Sequence, residues 1–246
     1  MSELAHHLLI PDWPAPAGVR ACVTTRSGGV SLPPYDSFNL GDHVGDAPDA
    51  VAENRRRLTA EFGIQPAWLK QVHGVVVADA NPAVIAEADA SWTATPGIAC
   101  TVMTADCLPA LFCDRAGTRV AAAHAGWRGL ANGVLEATVD RLSVEPNDVM
   151  VWLGPAIGPQ AFEVGAEVRE AFVTVHPETA TAFVPGAQPG KFIADIYKLA
   201  RIRLAAHGVT AVYGGGECTV SDPRFYSYRR TPHGGRFASL IWLDPR

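Results

Sequence analysis

His73, Cys107 and His124 are the residues of this chain best suited to chemistry. A cysteine thiolate and two imidazoles are good zinc ligands, and three protein ligands leave a fourth position open for water or substrate. A metal held that way lowers the pKa of bound water or polarises a substrate oxygen. The three residues lie far apart in the chain and match no local zinc signature, so the case rests on where they stand. His73 follows Lys70-Gln71-Val72, Cys107 follows an apolar run that ends at Thr104, and His124 stands near the end of a run that starts at Arg119. Strands that stop together bring such residues to one rim of a sheet. Asp106 beside Cys107, and Gly126-Trp127-Arg128-Gly129 shortly after His124, add an acid, a turn and a cation to that rim.

Other readings of the same residues stay open. A lone Cys in an apolar run is ordinarily a small buried hydrophobe, which is the reading for Cys22, Cys100 and Cys113. His6, His7, His176 and His207 read as hydrogen-bonded structural histidines. Cys107 could instead attack a carbonyl, with His124 as its base. A helix opening after Gly129 presents free N–H groups to an anion, and Arg128 adds charge there; the alternative is a simple tight turn at Gly126 and Gly129. Cys218 is the candidate for a fourth ligand, which would close the site and make it structural. Arg229 and Arg230, beside Tyr226 and Tyr228, can hold a nucleobase face or an anion, or can be surface arginines on an edge strand.

The elements that must position these groups follow from pattern. Strands are expected over 19–25, 98–104, 119–125, 149–153, 211–213 and 237–243, where β-branched and apolar residues cluster. A strand or hairpin over 68–78 carries His73 near a bend at Gly74. Pro109 speaks against a straight central strand after Cys107, so a bend is expected there. Asp49 is placed to N-cap a helix that runs to Phe62 and stops at Gly63. Further helices are expected over 130–142, 165–175 and 193–207, the last ended by Gly208. The alternation is not a strict strand–helix rhythm, so the fold class is α+β: mixed sheets between outer helices, one domain over 1–246.

Composition narrows the function classes. The chain has 246 residues, 48% of them hydrophobic, which suffices for a core without disulfides. Net charge is −5, with no basic stripe, which argues against a nucleic-acid partner. Arg55-Arg56-Arg57 reads as a solvated helix face. The first ten residues lack the features of a signal peptide, and no apolar run is long enough to span a membrane. Five cysteines without a Cys-x-x-Cys pair read as reduced cytoplasmic thiols. A monomer is expected.

Three segments carry a resemblance. Lys70-Gln71-Val72-His73-Gly74, Thr104-Ala105-Asp106-Cys107-Leu108-Pro109 and Ala123-His124-Ala125-Gly126-Trp127-Arg128-Gly129 closely resemble the laccase-domain family. Its bacterial members have been called multicopper polyphenol oxidoreductases, purine nucleoside phosphorylases and peptidoglycan editing factors. The likeness begins at Thr24 to Ser31, includes Asn39-Leu40-Gly41, and reaches Glu217-Cys218-Thr219 and Tyr228-Arg229-Arg230. It implies sheets sandwiched between helices and a zinc site of His73, Cys107 and His124. It also implies phosphorolysis of adenosine, inosine and methylthioadenosine, with adenosine deamination as a side activity. Arg26, Asn39, Lys70, Arg128 and Arg229 are then expected around nucleoside and phosphate, and Asp106 as a catalytic acid. The family's other suggested role is an amidase, thiolate- or zinc-based, that edits wrongly incorporated amino acids in cell-wall precursors. Copper could occupy the same three ligands. A four-copper oxidase relay needs many histidines, commonly in His-x-His pairs, and the chain has eight, with only His6-His7 adjacent.

Overall fold

The computed structural model describes residues 4–245. The start of the N-terminal segment and the last residue of the expected domain therefore lie outside the described residues. Two sheets form the centre. The first has the order β1-β2-β11-β6-β3, formed by Leu8–Leu9 (β1), Val19–Thr24 (β2), Phe237–Leu243 (β11), Ile98–Thr104 (β6) and Gln65–Ala67 (β3). The second has the order β10-β9-β7-β8-β5-β4, formed by Ala211–Gly214 (β10), Val149–Leu153 (β9), Leu108–Asp114 (β7), Val120–Ala125 (β8), Ala90–Thr93 (β5) and Val77–Asp79 (β4). Its edges are parallel pairs, β9 with β10 and β4 with β5, and its middle is antiparallel.

The layers follow from period-two patterning. In β7 and β8, Ala110, Phe112, Ala121 and Ala123 face one way. They pack there on Leu135, Val139 and Leu142 of α3 (Val134–Leu142) and on Leu199 and Leu204 of α5 (Ile196–Ala206). Leu111, Cys113, Val120 and Ala122 face the other way, onto Cys100, Val102, Phe237 and Ile241 of the first sheet. That sheet's far face packs Cys22, Ala99, Leu240 and Trp242 against Leu58 of α1 (Pro48–Phe62). The result is helix, sheet, sheet, helix, the expected α+β sandwich with outer helices. Strands buried on both faces read as unbroken apolar runs, which is why β7 and β8 show little polar alternation.

Several local expectations differ. Pro109 does sit in a central strand, opposite His124. It is the second residue of β7, just outside the pairs that β7 forms with β9, so the missing N–H falls at the strand's beginning. The bend is one step earlier, where Asp106 adopts a φ of 89°. The 130–142 helix is two: α2 (Trp127–Asn132) and α3, broken at Gly133 with a φ of 100°. The 193–207 segment opens with a strand, Lys191–Ala194, before Asp195 caps α5 by accepting from the Lys198 N–H at 2.9 Å. Ala47, not Asp49, is the N-cap of α1, and Pro48 begins that helix. A fourth long helix, Ala166–Val173 (α4), matches its expected place.

Candidate metal centre and its cavity

His73, Cys107 and His124 meet where the two sheets join. β6 leaves the first sheet at Thr104, and residues 105–107 cross to β7 of the second. His124 comes from the end of β8, opposite Pro109. His73 comes from the irregular segment after Leu69–Lys70, with a φ of 62°. The ligand atoms of the three lie within 4.8 Å of one another, and Cys107 Sγ is 3.8 Å from His73 Nε2. His124 is buried, Cys107 half-buried and His73 exposed, so the group opens to solvent on one side. Among the described residues it is the one group of three donors able to hold a metal ion.

Asp89, which the sequence reading passed over, builds this centre. Its carboxylate accepts from the backbone N–H of Val72 at 3.1 Å, His73 at 2.9 Å and Gly74 at 2.6 Å. It also accepts from His124 Nδ1 at 2.8 Å, while its own carbonyl accepts from the His124 N–H at 2.7 Å. One carboxylate therefore stabilises the left-handed His73 backbone and sets the His124 tautomer. With Nδ1 protonated toward Asp89, His124 presents Nε2 as its ligand atom. Burial pushes the Asp89 pKa up, but His124 and the Gly74 and Val72 N–H groups outweigh it and hold the carboxyl below its usual range. Burial likewise disfavours charge on Cys107 and His124, yet their mutual attraction wins: the thiol is lowered and the imidazole raised.

Two more contacts fix the frame. The Gln71 amide brackets Met103, donating to its carbonyl and accepting from its N–H, both at 2.8 Å. Gly126 and Gly129 are there for space. A Cβ at Gly126 would lie 2.6 Å from His73 Cδ2 and 3.1 Å from Cys107 Sγ, and one at Gly129 would lie 2.9 Å from the Gly74 carbonyl. Gly126 is the one-residue turn from β8 into α2, as the tight-turn reading expected, and both glycines also let α2 press against the His73 segment. The helix is six residues long and begins at Trp127, ahead of Gly129.

A thiolate, two imidazoles, a carboxylate that holds one imidazole by its other nitrogen and an open side fit a three-ligand metal site. Cys218 does not join it. Its Sγ instead accepts from the Gly158 N–H at 3.3 Å.

The trio forms one wall of a cavity of about 570 Å³. Trp127, Phe162, Tyr228, Ile157 and Ile196 make an apolar side, and Arg128, Arg229 and Arg236 a cationic one. Arg128 lies over the Trp127 ring at 4.4 Å and Arg229 over Phe162 at 5.8 Å. Arg229 also donates through Nη2 to the Glu163 carbonyl at 2.9 Å.

The other expected residues sort differently. Asp106 borders the cavity, but its oxygens accept from Thr219 Oγ1 at 2.6 Å and from the Arg229 N–H at 2.7 Å. That makes it a clamp on the turn. Lys70 does not line the cavity; it is exposed and pairs with Glu87 at 2.8 Å. Arg26 pairs with Asp36 at 2.8 Å in a separate cavity of about 200 Å³. Asn39 is buried and acts indirectly, its Oδ1 accepting from the Arg236 N–H at 2.8 Å. Arg230 is consumed by the carbonyls of Thr219, Val220 and Phe225.

Comparison with known proteins is consistent with this picture. A family model described as multi-copper polyphenol oxidoreductase laccase matches residues 20–244. A purine nucleoside phosphorylase of Pseudomonas aeruginosa is 72% identical, with 96% of this chain and 98% of that protein covered. A purine nucleoside phosphorylase of Escherichia coli is 57% identical over 96% of this chain and 98% of its own. Among solved structures, a Neisseria meningitidis protein superposes with a TM-score of 0.95 at 55% identity, covering 97% of this chain and all of the other. YlmD of Geobacillus stearothermophilus gives a TM-score of 0.87 at 30% identity, covering 93% of each chain.

Proposed function

We propose that this chain, which belongs to the multi-copper polyphenol oxidoreductase laccase family, is a cytoplasmic purine nucleoside phosphorylase acting on adenosine, inosine and methylthioadenosine. The observation that carries the reading is the cavity. It brings arginines that have no acidic side-chain partner among the described residues into one space with the His73, Cys107 and His124 group and with apolar and aromatic side chains. Its volume falls in the range of small-molecule sites.

In phosphorolysis a phosphate oxygen bonds to C1′ of the ribose. The bond from C1′ to the base nitrogen breaks, and its electron pair leaves with the purine, which takes up a proton. Ribose 1-phosphate and free base result. The protein's share is to bring a doubly charged anion and a nucleoside together in fixed orientation. Arg128 and Arg229 supply charge-assisted donors for the anion. Trp127, Phe162 and Tyr228 supply apolar and aromatic surface for the base. His73, Cys107 and His124 would hold zinc, which when bound supplies a Lewis acid to an oxygen or nitrogen of the substrate. The same proposal includes adenosine deamination as a side activity of this cavity, in which water would replace the amine and ammonia would leave.

The contact of Cys107 with both imidazoles favours one second reading, an amidase for cell-wall precursors with Cys107 as nucleophile. One experiment separates the two. Metal-quantified protein is incubated with adenosine or inosine, with and without phosphate, and free base and ribose 1-phosphate are followed. Phosphate-dependent base release that is lost in His73→Ala and Cys107→Ala supports the phosphorylase. No release from fully metal-loaded protein refutes it. Amide hydrolysis that survives strict metal removal then marks the thiolate enzyme.

A further inference from the structure

Arg236 is a cation built into the cavity wall at some expense. Its backbone N–H is fixed by Asn39 Oδ1 at 2.8 Å. Its side-chain stem lies against Gly41, where a Cβ would come within 2.9 Å of Arg236 Cγ. Its Nη1 donates to the carbonyls of Gly234 and Gly235, both at 3.0 Å. Neither Nε nor Nη2 has a hydrogen-bond partner among the described residues, and no carboxylate pairs with the guanidinium there. The side chain is partly withdrawn from water and lines the same cavity as the metal-capable group.

An unpaired guanidinium held rigidly at a cavity wall is costly unless something anionic completes it. Asp106 makes no hydrogen bond to the guanidinium; its oxygens accept from Thr219 Oγ1 and from the Arg229 N–H. Arg128 and Arg229 face the same space without ion pairs among the described residues. The buried Asn39 and the Gly41 backbone thus serve to aim one fork-shaped donor into the cavity, a geometry that suits two oxygens of one phosphate.

We propose that Arg236 is the principal anion-positioning residue of the cavity, seating inorganic phosphate through Nε and Nη2 beside His73, Cys107 and His124, with Arg128 and Arg229 completing the seat. The assignment deepens the phosphorylase reading and takes its substrate from it, but the binding of phosphate can be measured without turnover.

The test uses metal-loaded wild-type protein, Arg236→Gln and Arg236→Lys, each checked for metal content and thermal unfolding. Inorganic phosphate is titrated calorimetrically with no nucleoside present, and KM is then measured for phosphate and for adenosine. The expected result for Arg236→Gln is phosphate binding weakened, and phosphate KM raised, about 10- to 100-fold. Metal content and adenosine KM should stay within about threefold of wild type by the same reasoning. Arg236→Lys, which keeps the charge and loses the fork, should recover only part of the affinity. Unchanged phosphate affinity in Arg236→Gln overturns the assignment, as does absence of phosphate binding by the wild type. Loss of metal in both variants also overturns it, since Arg236 would then act as counter-charge to Cys107. Should the wild type bind phosphate through Arg236 yet cleave no nucleoside, the anion seat stands and the phosphorylase reading falls.

Discussion

Replacing Asp89 with Asn changes one oxygen to an amide nitrogen and tests the metal-centre argument at its root. Oδ1 accepts from His73 N and His124 Nδ1, and Oδ2 from Val72 N and Gly74 N. An amide placed with nitrogen at Oδ2 would face two backbone donors and strand both. Placed with nitrogen at Oδ1, it would strand the His73 N–H and push His124 to the other tautomer, with Nε2 protonated and lost as a ligand atom. Each stranded buried donor costs about 1–3 kcal/mol. Metal-free Asp89→Asn should therefore be less stable than metal-free wild type by about 1–6 kcal/mol, the sum of one or two such losses. Loss of the orienting carboxylate should also weaken metal affinity by about 10- to 100-fold. Denaturant unfolding of the metal-free proteins gives the first quantity, and zinc competition with a chromophoric chelator gives the second. Asp79→Asn serves as control, since Asp79 is exposed and pairs with Arg141 at the surface. If Asp89→Asn unfolds within about 0.5 kcal/mol of wild type, as surface substitutions do, and binds zinc equally well, the reasoning is wrong.

Gly126→Ala puts a Cβ 2.6 Å from His73 Cδ2 and should lower metal affinity at least tenfold by moving the ring; an unchanged chelator titration would show that the glycine is not required for space. In the metal-free protein, iodoacetamide should modify Cys107 and Cys218, and zinc loading should protect Cys107 alone, while buried Cys22, Cys100 and Cys113 stay unmodified in both states. Peptide mapping reads this, and equal modification of Cys107 with and without metal would count against its being a ligand. Titration with zinc or copper should saturate with one ion per chain at this centre, His73→Ala removing it. Asp222 lies under Arg224; burial raises its pKa, but the Arg224 hydrogen bonds win and lower it. Its folded pKa being depressed, it stabilises above the usual carboxylate value and that gain is lost as pH falls through the lower one. Asp222→Asn should flatten the acid limb of melting temperature against pH by under about 1 kcal/mol, and a limb as steep as wild type would contradict it.

The metal-capable group was legible only in part from pattern, since its three residues match no local zinc signature and the resemblance of their surrounding motifs is what singled them out. Cys107 immediately precedes β7 and His124 is the last residue but one of β8, and it is the antiparallel pairing of these strands, which pattern did not specify, that brings the two together. Asp89 was not legible. It is a single acid between alanines just before a four-residue strand that the pattern did not reveal, and its role depends on backbone N–H groups that leave no trace in side-chain chemistry. Arg236 was hidden differently. Its significance comes from Asn39, nearly two hundred residues earlier, so no local window contains the pair. Lys70 failed as a cavity residue for a geometric reason. It lies in a two-residue strand beside Glu87, and its side chain is held at the surface by that carboxylate, while Gln71 turns inward to Met103.

The donor inventory also bears on the copper chemistry that the family description names. A four-copper relay needs a second cluster of histidines, and the described residues contain no second group of three metal-capable donors. His176 pairs with Glu178 and His207 with Asp140, and His43, which borders the cavity, pairs with Asp42. None of these pairs offers a third donor, and His73, Cys107 and His124 remain the one group of three among the described residues. A single copper could take those ligands, since two imidazoles and a thiolate suit it as well as zinc. Electron transfer through several linked copper centres would need ligands that the described fold does not bring together. The residues facing the trio point the same way. Arg128, Arg229 and Arg236 form a wall suited to an anionic substrate, whereas a neutral phenol would leave those guanidiniums without partners. The cavity's charge and its donor count, taken together, favour phosphoryl-group recognition beside one metal ion.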